Sequence, residues 1–171
     1  MRRLLLIGAI LLTSLTVKSQ FSQNDLIYYV GEGPDTAVIV VDFLDATEDT
    51  CYAWGFLFDA TESITGGDAL DAIALNENKL DYAIDGGFLS EIHYNAHSGI
   101  GGDPAWWGIY SKTTDTDWES NDGLSELLAN GDWWGCAYTD FDPEILPGEP
   151  IAAYESEKYD ASMIEYWVGT G

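Results

Sequence analysis

Residues 36–44, TAVIVVDFL, are an almost unbroken apolar, β-branched run, the pattern of a central strand. Shorter runs of the same kind at 25–31 (DLIYYVG) and 51–58 (CYAWGFLF, closed by Asp59) predict two more strands on either side of it in sequence. The period then changes. Across 66–76 (GGDALDAIALN) Ala69, Leu70, Ile73 and Ala74 recur at helical spacing, and Asp68 stands near the positive N-terminal end, so this segment predicts the one good helix. Strands follow at 80–84 and 88–94 around the turn Asp85-Gly86-Gly87, then a Gly-rich loop over 95–104 leading into an aromatic strand at 106–110. The last clear unit, 123–140, is a short polar–apolar segment, an Asn130-Gly131 turn and a strand at 133–138. Beyond Asp142, Pro143, Pro147 and Pro150 predict an extended strap that ends in the apolar stretch 163–168. There is no internal repeat. The order β-β-β-α-β-β-β implies a single small α+β domain, one helix packed across a mixed or antiparallel sheet.

Residues 1–19 read differently. Arg2 and Arg3 precede an apolar run over 4–15, and Val17 and Ser19 place small residues at −3 and −1 of a cleavage point, the form of a secretory signal peptide. The run is too short for a bilayer, which needs about 20 residues. The domain is then 20–171, secreted, periplasmic or at the cell surface. Its charge follows from that boundary, because three of the six cations fall before residue 20 and none of the 30 acids does. Three lysines against 30 carboxylates leave −27. Such a surface repels phosphate backbones and anionic headgroups, which excludes nucleic acid and direct membrane binding. Disorder is excluded as well, since acidic disordered chains are poor in aromatics and this chain has 7 Trp, 10 Tyr and 6 Phe. In an oxidising compartment the two cysteines, Cys51 and Cys136, are expected to form a disulfide.

Catalytic signatures are absent: no G-x-S-x-G, H-E-x-x-H, C-x-x-C or P-loop occurs. With 30 acids, a pair of neighbouring carboxylates carries no information. His93 and His97, four apart, would share one face of a helix or of a continuous strand, but the glycines at 99, 101 and 102 interrupt both and no metalloprotease Glu accompanies them. Asp115, Asp117, Glu119, Asn121 and Glu126 have EF-hand-like oxygen spacing, yet Ser120 holds the sixth position where the turn needs Gly, so the segment reads as a solvated acidic turn. The tryptophans say more. Trp106-Trp107 and Trp133-Trp134 are adjacent pairs in strands, where neighbouring side chains point to opposite faces. One of each pair is expected to face outward, and with Trp118, Tyr110 and Tyr94 to build an aromatic platform for a flat or amphipathic ligand.

Five pieces in order carry a resemblance: Gly67-Asp68-Ala69-Leu70-Asp71-Ala72-Ile73, Gly87-Phe88-Leu89-Ser90-Glu91-Ile92, Trp106-Trp107-Gly108-Ile109-Tyr110, Gly123-Leu124-Ser125-Glu126-Leu127, and the aromatic strand entered through Asn130-Gly131-Asp132. Together, residues 66–140 resemble the small β-domain of the cobalamin carriers transcobalamin and intrinsic factor, and the transcobalamin-C-terminal-like domains of bacterial surface proteins. The resemblance implies a β-grasp-like core at 66–140, extended by extra N-terminal strands. It also implies a non-enzymatic binding protein for cobalamin or another corrinoid, needing no cofactor of its own and delivering its cargo to an outer-membrane transporter. Trp106, Trp107 and Tyr110 would then pack on the macrocycle, Trp118 and either Trp133 or Trp134 would wall the site, His97 would approach an axial position and Tyr94 would add a polar contact. This sequence carries no counterpart of the large helical domain with which the animal carriers clamp the corrin ring. The competing reading is an extracellular adhesion module whose aromatics meet a protein or a glycan.

The signal-peptide assignment predicts a mature chain beginning near Gln20. Intact-mass measurement of exported protein checks it, and retention of residues 1–19 would contradict it.

Overall fold

The computed structural model describes residues 20–45, 50–102 and 104–156; residues 1–19, expected to be a signal peptide, and the apolar stretch 163–168 lie outside them. In chain order the elements are β1 (Tyr29–Gly31), β2 (Asp35–Asp42), β3 (Cys51–Phe58), α1 (Gly66–Asn76), β4 (Leu80–Asp85), β5 (Phe88–Tyr94), β6 (His97–Ile100), β7 (Trp106–Lys112), β8 (Glu119–Ser120), β9 (Trp133–Thr139) and β10 (Ile151–Ala152). The fold is α+β, mostly β with one helix. The main sheet runs β1-β3-β2-β9-β7-β8, with β10 lying beside β3, and β4-β5-β6 form a separate antiparallel sheet. Within the main sheet β2 is antiparallel to β3 but parallel to β9, and β7 is antiparallel to β9. As its β-branched run predicts, β2 is central.

The helix starts where its capping residues dictate. Thr65 Oγ1 accepts from Asp68 N at 3.2 Å, while Asp68 Oδ2 accepts from Thr65 N at 2.9 Å, a reciprocal cap at the positive end of the helix. Its buried stripe of Ala69, Leu70 and Ile73 lies on Ile39, Val41, Trp54 and Trp134 of the sheet. Gly66 permits the approach, because a Cβ there would come within 2.2 Å of the Trp134 indole.

The other face of the sheet is covered too, by a second apolar cluster of Val38, Val40, Ala53, Cys51 and Trp133 packed under Leu26, Phe21 and Trp118. The strap after Asp142 closes this side and is fastened by carboxylates. Asp42, itself buried, accepts from Gly148 N at 2.8 Å through Oδ2, and from Leu44 N at 3.0 Å and Thr50 Oγ1 at 3.2 Å through Oδ1. Buried Glu77 accepts from Ser156 N at 3.1 Å and from Lys79 N at 3.0 Å. Glu144 accepts from Tyr110 Oη at 3.0 Å, and Glu149 from Phe21 N. No Lys–carboxylate ion pair occurs among the described residues. Backbone N–H groups and hydroxyls therefore do the work that lysines cannot in so acidic a chain.

Three expectations change. Of 25–31, only the last three residues pair as a strand; Gln23–Asp25 is a 3-10 turn, and Gly31 at φ 86° ends β1. The Gly-rich segment 95–104 is not all loop, for His97–Ile100 hydrogen-bonds to β5. The disulfide is corrected as well, since Cys51 and Cys136 are both free and buried. Cys51 pairs in register with Asp42 and Cys136 with Val41, so the two thiols leave opposite faces of the sheet with β2 between them. Two strand spacings come to about 9.5 Å, and disulfides close Cα separations below about 7 Å. Burial raises the pKa of both thiols, and the carboxylate of Asp42 adds to the effect on each.

Replacing Asp42 with Ala should strand the N–H groups of Leu44 and Gly148 and cost about 3 kcal/mol. Urea denaturation of the two proteins measures it, and a loss under about 0.5 kcal/mol would contradict the fastening role.

Candidate functional site

Strand β7 sits near the edge of the main sheet, and its alternation sends Trp107 and Ile109 to the helix side and Trp106, Tyr110 and Lys112 to the strap side. On the helix side, β7, the tip of the β4–β5 hairpin and the 3-10 turn Gly123–Ser125 enclose a cleft of about 310 Å³. Trp107 is its floor. Only 7% exposed, the ring is fixed by Nε1–H donation to Gly99 O at 3.1 Å and by edge-on packing against Phe43 at 5.5 Å. Gly99 is required there, because a Cβ would meet the indole at 2.4 Å. Ile109, Leu89 and Leu124 make apolar walls, and Phe88, 75% exposed beside Gly86-Gly87, stands at the rim. Asn121 supplies polarity. Its Oδ1 accepts from Gly123 N at 2.8 Å, which fixes the amide and leaves Nδ2, buried, as a donor with no partner among the described residues.

The remaining aromatics named from the sequence do not join Trp107 in one platform. Trp134 is fully buried under the helix, with Nε1–H donating to Gly123 O at 3.1 Å. Trp133 is also buried, on the opposite face, so both members of that pair are core. The expectation that one would face outward assumed a sheet with one covered face. Tyr110 is buried beneath the strap and Tyr94 in the helix-side core, and burial raises the pKa of each phenol. Trp118 is half-buried and edge-on to Trp133 at 6.4 Å. Trp106 alone faces solvent, at 47% exposure.

His97 is also committed. Its Nδ1 lies 2.7 Å from Asp45 Oδ2 and its Nε2 lies 2.9 Å from Tyr52 Oη, while the ring stacks on Phe43 at 5.3 Å. With Nδ1 protonated the chain is donor-matched throughout, Tyr52 O–H to Nε2 and Nδ1–H to Asp45. Axial ligation of a corrinoid by His97 would break one of these bonds. Nothing in the spacing of Asp45, Tyr52 and His97 announces their meeting, which depends on β3, β6 and the segment after β2 converging. His93 lies on the other side of the small sheet, with Nδ1 2.9 Å from Ser98 Oγ, so the two histidines do not share a ligand. In the acidic segment, Asn121 Oδ1 and Glu126 Oε2 are turned onto the backbone N–H groups of Gly123 and Asp122 rather than gathered in a loop. Among the described residues no group of three or more His, Cys, Asp or Glu side chains forms a metal-ligand set.

No family model matches the chain, and no curated protein or solved structure matches it.

Separate Ala substitutions should divide the pair on β7. Trp107→Ala removes the cleft floor and should cost about 3–5 kcal/mol, whereas Trp106→Ala should cost less than about 1 kcal/mol. Thermal melts check this, and equal losses would contradict the assignment of the two faces.

Proposed function

We propose that this chain is a secreted, non-enzymatic ligand-binding protein of β-grasp type, whose ligand places a flat apolar group in the cleft floored by Trp107. The fold assignment rests on the order β3-β2-β9-β7-β8: the hairpin β2–β3, a helix crossing over, and β9 inserted parallel to β2, so that residues 35–58 belong to the core that the resemblance placed at 66–140. Secretion rests on the leader read from the sequence. The observation that carries the binding role is the cleft itself, a concavity at the lower end of the usual ligand-pocket range of about 300–1,000 Å³, with Trp107, Ile109, Leu89 and Leu124 as its apolar surfaces and Asn121, Asp122 and Ser125 as its polar ones. In the Tyr52–His97–Asp45 chain the Tyr52 ring is packed in the helix-side core, which supports a structural role for the chain rather than catalysis.

Cobalamin, which the family resemblance implies, is the ligand to try first. A cleft of this size admits part of a corrinoid and not the whole macrocycle, so such a ligand would be gripped at one edge and shared with a second binding surface. That fits a carrier that hands its cargo to a transporter. The adhesion reading has its own support in the exposed side chains of Trp106, Ile100 and Phe141, the last two residues beyond Thr139, which pairs with Trp106.

The neutral fluorophore N-phenyl-1-naphthylamine should bind saturably, be displaced by hydroxocobalamin, and bind about threefold to tenfold more weakly to Phe88→Ala at unchanged thermal stability. Absence of saturable binding, or an unaltered Phe88→Ala affinity, would overturn the site. Failure of hydroxocobalamin alone to compete would overturn only the corrinoid.

A further inference from the structure

The main sheet has an open edge at β1. Among the described residues β1 pairs only with β3, in the parallel register Tyr29↔Gly55 and Gly31↔Leu57. Gly55 N donates to Tyr28 O at 2.9 Å, so Tyr28 and Val30 turn their amide groups to β3, and alternation turns those of Tyr29 and Gly31 outward. A groove of about 420 Å³ runs along this edge, lined by residues 27–31, by Asn76 at the end of α1 and by Glu155. Ile27, 69% exposed, and Tyr29, 41% exposed, leave apolar surface there. Free edges are ordinarily blunted, and β4 shows how: it carries Asp81 and Asp85 and a bulge between Ala83 and Ile84. Residues 26–31 hold no charge at all.

The described chain reaches this groove at its own end. β10 lies on the same edge of β3 as β1, Glu155 lines the groove, and Ser156 N is fastened to buried Glu77 at 3.1 Å. Residues 157–171 follow, outside the described residues. Within them 163–168 (MIEYWV) is apolar but for Glu165, free of Gly and Pro, and rich in β-formers.

We infer that the groove on β1 receives this chain's own segment 163–168, paired as a further strand with the outward amide groups of Tyr29 and Gly31. Residues 157–162 bridge from Ser156 and reach up to about 20 Å, ample for a groove that Glu155 already lines. Charge favours the same occupant. A segment with one acid meets an edge with none, in a chain of 30 acids and 6 cations. A second copy of the protein would bring the same acidic surface to the interface and be repelled, whereas the short tether holds the segment at an effective concentration on the order of millimolar. This edge is separate from the Trp107 cleft, which opens near the other end of the strand order.

Amide hydrogen exchange of the full chain, read residue by residue by NMR, tests the pairing. The amides of Tyr29 and Gly31 should be protected, and Tyr166→Pro should speed their exchange at least about tenfold while Val40 in the central strand is unchanged. Ile164→Asp, which keeps the backbone donor and removes the apolar side chain, should release the same two amides. Fast exchange of Tyr29 and Gly31 in the unaltered chain, or protection that survives both substitutions, would overturn the assignment. Protection that fades on tenfold dilution would give the edge to a second copy and overturn it as well.

Discussion

The constraint on which the rest of the structure depends is that both faces of one sheet are buried. Adjacent tryptophans on β9 leave opposite faces, and each needs a cover. Trp134 has the helix, brought close by Gly66. Trp133 has Phe21, Trp118 and the Lys112 stem, and the strap closes the same face. The helix-side cover is apolar packing and resembles any small α+β core. Carboxylate clips from Asp42 to Gly148 N and from Glu77 to Ser156 N tie down the strap, and the first of them ties it to the central strand. A chain with three lysines over residues 20–171 cannot neutralise 30 acids by ion pairing, and those two buried carboxylates instead accept N–H groups that would otherwise be orphaned.

Two-sided burial also decides where ligands can enter. The middle of the sheet is sealed on both sides, and the cleft over Trp107 opens at β7, near the sheet edge. There the alternation of one strand places Trp107 at the floor of a helix-side cleft and Lys112 over the Trp118 and Trp133 rings on the strap side. The floor of the cleft is rigid because Trp107 is bonded to Gly99 O and wedged against Phe43. Lys112 is held by the two rings that flank it. Asn121 Nδ2 and Trp133 Nε1 are both buried, with no acceptor among the described residues.

Much of this order was legible in the sequence. The β-branched run marked the central strand, the period change over 66–76 marked the helix with its bounds, and Asp68 marked its positive end, though not the reciprocal cap with Thr65. The strand His97–Ile100 was hidden by its glycine, and Gly99 is glycine because Trp107 lies against it, a tertiary reason with no local trace. The cysteines looked pairable because sequence shows neither register nor face. The tryptophans looked like a platform because the cover on the second face comes from chain ends distant in sequence, Phe21 and the strap. Asp45 and Tyr52 gave no sign of meeting His97, for hydrogen bonds across 52 and 45 positions leave no spacing to read.

The claim that the strap is a separate cover for one face is tested most directly by the two thiols, since Cys51 lies beneath Gly148 on the strap side and Cys136 on the helix side. Gly148→Pro removes the N–H that Asp42 accepts and leaves Asp42 in place. The rate of iodoacetamide labelling at each cysteine, read by peptide mass, should then rise at Cys51 while Cys136 stays protected. Equal labelling of both, or continued protection of Cys51, would contradict the account.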